Sequence, residues 1–216
     1  MRILFVGLDH GKDTESYDAR DSRKWFLETY RGPSRKGWRF GGNKHLFGCV
    51  QVAAEILNLD CRSRCEEMCD MMPERECVLC NFAKGNAVRC VESSGEYMKF
   101  QSENRVSRCL PFLFEQLELL LPGVIVLQGR TKAGHIQEDF KQVLNEGNWG
   151  HLEMTESKIV GSITWRRFGS DRGPVAIAFF VHPSARGLHS FKIKWETEIL
   201  PATKRIRSIL RYREAG

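Results

Sequence analysis

The sequence predicts an α/β fold built on a parallel sheet. Short apolar runs bounded by glycine, proline or polar turns recur at Ile3-Val6, Cys77-Cys80, Val124-Leu127 and Val175-Val181. Between them, apolar residues repeat at helical spacing in the stretches Leu46 to Leu57 and Pro111 to Leu121. Strand-like runs alternating with helical patterns argue for parallel strands joined by helical crossovers. At 216 residues and 42% hydrophobic, the chain buries one sizeable core. Residues 1–216 are therefore expected to form a single domain.

The elements follow in order. The first run ends in Gly7-Leu8-Asp9-His10-Gly11, a glycine-flanked loop holding a carboxylate. Residues 12–42 are polar and rich in Arg and Trp, as an insertion would be. Val50, Ala53, Ala54 and Leu57 mark the first helix, and Leu113, Leu117 and Leu120 the second, which Pro122-Gly123 stops before the strand Val124-Leu127. Residues 146–174 read as a second insertion, with a hairpin from Lys158 to Trp165 turning through Gly169 to Gly173. The run Val175-Val181 breaks into His182-Pro183-Ser184, and Trp195 to Arg213 reads as an amphipathic helix that Pro201 kinks or restarts.

Composition narrows the function classes. A net charge of +6 and a pI near 8.9 favour a polyanionic partner without establishing one. No basic region followed by an apolar core and cleavage site opens the chain, and no apolar run reaches about 20 residues, so a cytoplasmic protein with no membrane partner is expected. In a reducing compartment, the eight cysteines read as metal ligands, buried small residues or redox thiols rather than disulfides.

Strand ends are where active-site loops sit on buried sheets. If the first strand and Val175-Val181 are parallel neighbours, Asp9 and His182 face one crevice at the carboxyl edge of the sheet.

The motifs, in order, resemble the uracil-DNA glycosylase superfamily, and most closely its iron-sulfur members. They are Gly7-Leu8-Asp9-His10-Gly11, Val78-Leu79-Cys80-Asn81 with Asn86-Ala87-Val88-Arg89-Cys90, Arg108-Cys109-Leu110-Pro111-Phe112-Leu113 leading through Leu119 to Arg130, and His182-Pro183-Ser184. Each motif alone is weak, but the four occur in sequence and cover most of the chain outside the two insertions. The resemblance implies a three-layer α/β/α domain with a four-stranded, mainly parallel sheet. It also implies removal of uracil or another deaminated base from DNA, acting as a monomer on DNA that contains a damaged base.

Base loss develops positive charge on the sugar and negative charge on the departing base, so a carboxylate and a donor are needed. By the resemblance, Asp9 orients water and stabilises the sugar, and His182 donates to a base oxygen. The iron-sulfur class carries its acid directly after the first glycine, where this chain has Leu8; Asp9 takes the next position, as in the classical uracil enzymes. Gly7, Leu8 and Ser184 are expected at the pocket. Asn81 and Asn86 compete to read the edge of a flipped base with a side-chain amide, and Asn81 is favoured because it ends a strand-like run. Phe40 is the candidate stacking platform. Arg186 and Leu188 are candidates to enter the duplex, and Arg130 and Lys132 to hold phosphates.

All the cysteines but Cys49 fall between Cys61 and Cys109. Cys90 and Cys109 resemble the second pair of cluster ligands in the iron-sulfur glycosylases, with Cys109 at the start of a helix. The N-terminal Cys-x-x-Cys of that class is missing, so the first pair falls to Cys65 and Cys69, with Cys61 as a substitute on the same helical face. The implied cofactor is a 4Fe-4S cluster, with zinc as the alternative. Cys77 and Cys80 are read as core residues. Two other functions stay open at this point, a catalytically inactive nucleic-acid-binding member of the fold and a metal-cluster regulatory protein.

Overall fold

The computed structural model describes residues 3–7, 44–59, 78–86, 103–129, 135–166, 173–183 and 191–215. Six strands form one sheet: β1 (Ile3–Gly7), β2 (Phe82–Asn86), β3 (Val124–Gln128), β4 (Gly150–Met154), β5 (Val160–Trp165) and β6 (Val175–Phe180). Their spatial order is β2-β1-β3-β6-β5-β4. The first four in that order run parallel, while β5 is antiparallel to both β6 and β4. The sheet thus has six strands where four were expected.

The two extra strands arise from the segment read as an insertion. Its outer strand, β4, was not anticipated, because in Gly-His-Leu-Glu-Met only Leu152 and Met154 give an apolar alternation. β5 and β6 pair antiparallel, and most of the turn expected at residues 169–173 lies outside the described residues. A tight turn joins β4 to β5: the Thr155 N–H donates to the Val160 carbonyl at 2.8 Å, and the Thr155 hydroxyl donates to the same oxygen at 2.7 Å.

Alternation along the parallel strands sends side chains to two cores, one on each face of the sheet. Ile3, Phe5, Val124, Val126, Ala176, Ala178 and Phe180 face one layer of helices. That layer comprises α1 (Lys44–Leu57) and the C-terminal segment, which runs through α4 (Phe191–Lys194), a π-helical stretch (Trp195–Ile199) and α5 (Leu200–Ala215). Leu4, Val6, Ile125, Leu127, Val175, Ile177 and Phe179 face the other layer, α2 (Glu103–Leu120) and α3 (His135–Glu146). The β1 to β2 crossover therefore lies on one face and the β2 to β3 crossover on the other. This makes the gap between β1 and β3 the point where the winding reverses.

Local chemistry sets the helix ends. Asn58 has φ 55° and follows α1; Leu59 N–H donates to the Ala54 carbonyl at 3.0 Å, closing a left-handed cap with asparagine in place of glycine. Helix α3 ends the same way, with Asn148 at φ 52° and the Trp149 N–H on the Leu144 carbonyl at 3.0 Å. Leu121, at φ 48° before Pro122, stops α2.

Two boundaries differ from the sequence expectation, and a third follows it. The apolar run Cys77-Cys80 is not a strand: Val78–Asn81 is a 3-10 turn whose Val78 is buried against the first core, and β2 begins only at Phe82. Among the described residues β2 has β1 as its one neighbour, and its Phe-Ala-Lys-Gly-Asn sequence carries no continuous apolar signal. Helix α2 starts at Glu103, not at Pro111, and Cys109 lies inside it, not at its start. Pro111 lies inside the helix on an exposed position, where its ring removes one helical hydrogen bond. At the third boundary, Pro201 restarts the C-terminal helix after a π turn, in which the Leu200 N–H reaches the Trp195 carbonyl.

Candidate functional site

The register of the four parallel strands defines one edge. Asn86, Gly7, Gln128 and Phe180 are consecutive cross-strand partners and are the last residues of β2, β1, β3 and β6. In open α/β sheets, ligand crevices form outside such carboxyl ends, at the strand pair where the winding reverses. Here that pair is β1 and β3.

Each strand exit leads to residues singled out from sequence. Leu8 and Asp9 follow Gly7 directly and lie outside the described residues. Beyond Gln128, Gly129 turns the chain with φ 108°, which a side chain would strain, and its N–H donates to the Phe180 carbonyl at 3.1 Å. Arg130 and Lys132 follow, outside the described residues. After Phe180 come buried Val181, half-buried His182 and buried Pro183, while Ser184, Arg186 and Leu188 lie outside the described residues.

β1 and β6 are parallel but not neighbours, because β3 separates them. At about 4.8 Å per strand spacing, their exits stand roughly 10 Å apart. Gly7 at the end of β1 and the His182 backbone just past β6 thus flank the exit of β3.

The two asparagines separate cleanly. Asn81 closes the 3-10 turn before β2, at the amino end of the strand, where Phe82 pairs with Ile3. Asn86 ends β2 beside Gly7. The premise that favoured Asn81, its position at a strand's end, therefore belongs to Asn86. The sequence put Asn81 at a strand end because the apolar run, read as the strand, precedes it.

Three residues at this edge carried no site role in the sequence reading, although Cys49 was expected in a helix core, where it lies. Gln128 is fully buried, and the Cys49 thiol donates to its Oε1 at 3.3 Å. One residue earlier in α1, Gly48 faces Pro183: a Cβ there would stand 2.5 Å from Pro183 Cβ and 2.6 Å from Pro183 Cγ. The signals were present. A polar residue closes the otherwise apolar strand Val124–Gln128, and an isolated glycine interrupts an apolar helix, which points to a packing reason at that position.

Phe40, Cys61, Cys65, Cys69 and Cys90 lie outside the described residues, and Cys109 is described only as a backbone position in α2. Among the described residues, no group of three or more His, Cys, Asp or Glu side chains is arranged to hold a metal. Among the described residues, no helix is long and apolar enough to cross a membrane. No protein-family model and no curated protein matches this chain.

Proposed function

We propose that this chain is a DNA glycosylase that hydrolyses the bond between deoxyribose and uracil or another deaminated base. The reading rests on four motifs in order, and one structural observation supports it most. The chain segments leading to Asp9, Asn86 and His182 leave the sheet along one edge, around the strand pair where ligand crevices form.

The proposed chemistry is hydrolytic. A base taken out of the duplex enters between the β1 and β6 exits. The glycosidic bond breaks with its electron pair passing to the base, while the Asp9 carboxylate stabilises the cationic sugar and orients a water toward its anomeric carbon. His182 donates a hydrogen bond to the base oxygen where negative charge grows. Water delivers hydroxide to the sugar and its proton balances the departing base, leaving an abasic site and a free base. Asn86 reads the base edge through its amide, with Asn81 too far along the strand to share that task.

Cys65, Cys69, Cys90 and Cys109 are proposed as ligands of a 4Fe-4S cluster with a structural role, Cys61 substituting if one of the first pair does not bind. Iron and sulfide assays with visible absorbance of fresh protein test this. Colourless protein carrying stoichiometric zinc overturns it.

The deciding experiment is base release from oligonucleotides containing uracil, hypoxanthine or xanthine. Activity on at least one substrate is expected, lost in Asp9→Asn and His182→Ala with binding retained. Binding without release by the unaltered protein would instead make it a catalytically silent reader of damaged DNA. Unchanged rates in both variants would remove the assigned roles.

A further inference from the structure

The second turn of α1 touches two of the strand exits that frame the proposed pocket, through consecutive residues. Gly48 meets the β6 exit at Pro183, and Cys49 meets the β3 exit at Gln128. We infer that Gly48 and Cys49 are positioning residues that set where His182 stands relative to the end of β3. This inference rests on the reading of His182 as the residue that acts on the base.

The geometry is restrictive on both sides. Pro183 directly follows His182, and its Cβ and Cγ belong to a ring locked to the backbone, so neither swings aside as the end of a flexible side chain would. Any side chain at 48 also meets the tip of the Phe191 ring at 3.3 Å, so the position is crowded from two elements. Gly48 itself is fully helical and needs no unusual backbone angle. A glycine inside a helix costs about 0.5–1 kcal/mol relative to alanine. Its presence here is explained by the close approach of the Pro183 ring.

Cys49 holds the other exit. It is fully buried, and its thiol donates to Oε1 of the fully buried Gln128, the residue that pairs with both Gly7 and Phe180. One helical turn thereby spans the β3 and β6 exits and fixes their separation on that face of the sheet.

Gly48→Ala restores ordinary 3.4 Å contact only by moving Pro183 or the helix nearly an ångström. A displacement of that size in a positioned catalytic group costs about 100-fold in kcat. The expected result is a kcat lowered about 100-fold with KM changed far less. Gly161→Ala serves as the comparison, because its Cβ meets the Glu153 carbonyl oxygen at the same 2.5 Å, within the β4–β5 hairpin. Gly161→Ala is expected to lower the melting temperature with kcat unchanged. Cys49→Ala is expected to lower kcat, and Cys49→Ser, which keeps a donor, to restore most of it; this pair carries the test if Gly48→Ala does not fold.

A second readout needs no activity. The chemical shift of the His182 imidazole, assigned by its disappearance in His182→Ala, is expected to move in Gly48→Ala and to stay in Gly161→Ala. A shift that moves in a protein releasing no base from any substrate supports the positioning role and overturns the glycosylase reading. Unchanged kcat and an unmoved imidazole shift in Gly48→Ala, in a protein that does release base, overturn the positioning role alone.

Discussion

Phe114→Ala tests whether the β4–β5 hairpin belongs to the core or merely decorates it. Phe114, on the inner face of α2, is fully buried. Its ring stacks on Trp149 at 5.4 Å, tilts against Phe140 at 5.0 Å and meets Trp165 edge-on at 6.2 Å. Trp165 lies in β5 and Trp149 immediately precedes β4, so this one side chain joins both strands of the hairpin to the helix layer. Truncating a buried phenylalanine to alanine costs about 3–5 kcal/mol from lost transfer energy and the cavity left behind. Each aromatic pair adds roughly 0.5–1.5 kcal/mol beyond its area, which puts this site at the upper end, about 4–5 kcal/mol. For a domain of this size, each kcal/mol lowers the melting temperature by about 2–4 °C, giving a fall of roughly 8–20 °C. Calorimetry reads the fall, and tryptophan emission, moving to longer wavelength as Trp149 and Trp165 lose their cover, reads its cause. A loss below about 1.5 kcal/mol with unchanged emission would mean that the hairpin is not seated on α2 as described.

Two further outcomes follow from the backbone. Asn148→Ala places a side chain unsuited to the left-handed region at φ 52° and removes the acceptor of the 2.8 Å bond from Arg166, so a loss of about 1–2 kcal/mol in denaturant melts is expected; Asn148→Gly, which tolerates that angle, should lie within about 0.5 kcal/mol of the parent. In base-release assays, Asn86→Ala is expected to lower kcat/KM at least about 100-fold and Asn81→Ala to leave it within about threefold; the reverse ranking would return the base-reading role to Asn81.

The parallel core was legible because buried central strands announce themselves. Ile3-Val6, Val124-Leu127 and Val175-Val181 are continuous apolar runs, and all three became strands covered by helices on both faces. The margins were not legible for the same reason. Among the described residues β2 and β4 each have one strand neighbour; they carry Lys84, His151 and Glu153 and give little apolar pattern. Reading β2 one turn too early moved the favoured asparagine to the wrong end of the strand. At the site, the exits toward Asp9 and His182 were visible as strand-to-glycine and strand-to-proline breaks. Their spacing was not, since neighbourhood depends on which strand inserts between them, and that is settled by crossovers far apart in sequence. The Cys49 contact with Gln128 joins residues 79 positions apart, and that of Gly48 with Pro183 spans still more of the chain; only packing reveals such pairs.

The C-terminal segment grips α1 at both extremities. Phe191 crowds the Gly48 turn, and Arg207 of α5 donates to the Asn58 side chain at 2.7 Å just past the last turn of α1. During synthesis, residues 44–57 leave the ribosome long before 191–215, so α1 emerges with Val52, Ala53 and Ile56 lacking the cover that Ala202, Ile206 and Leu210 later help to provide. A nascent chain halted before α5 would expose that greasy stripe to chaperones until α5 closes over α1.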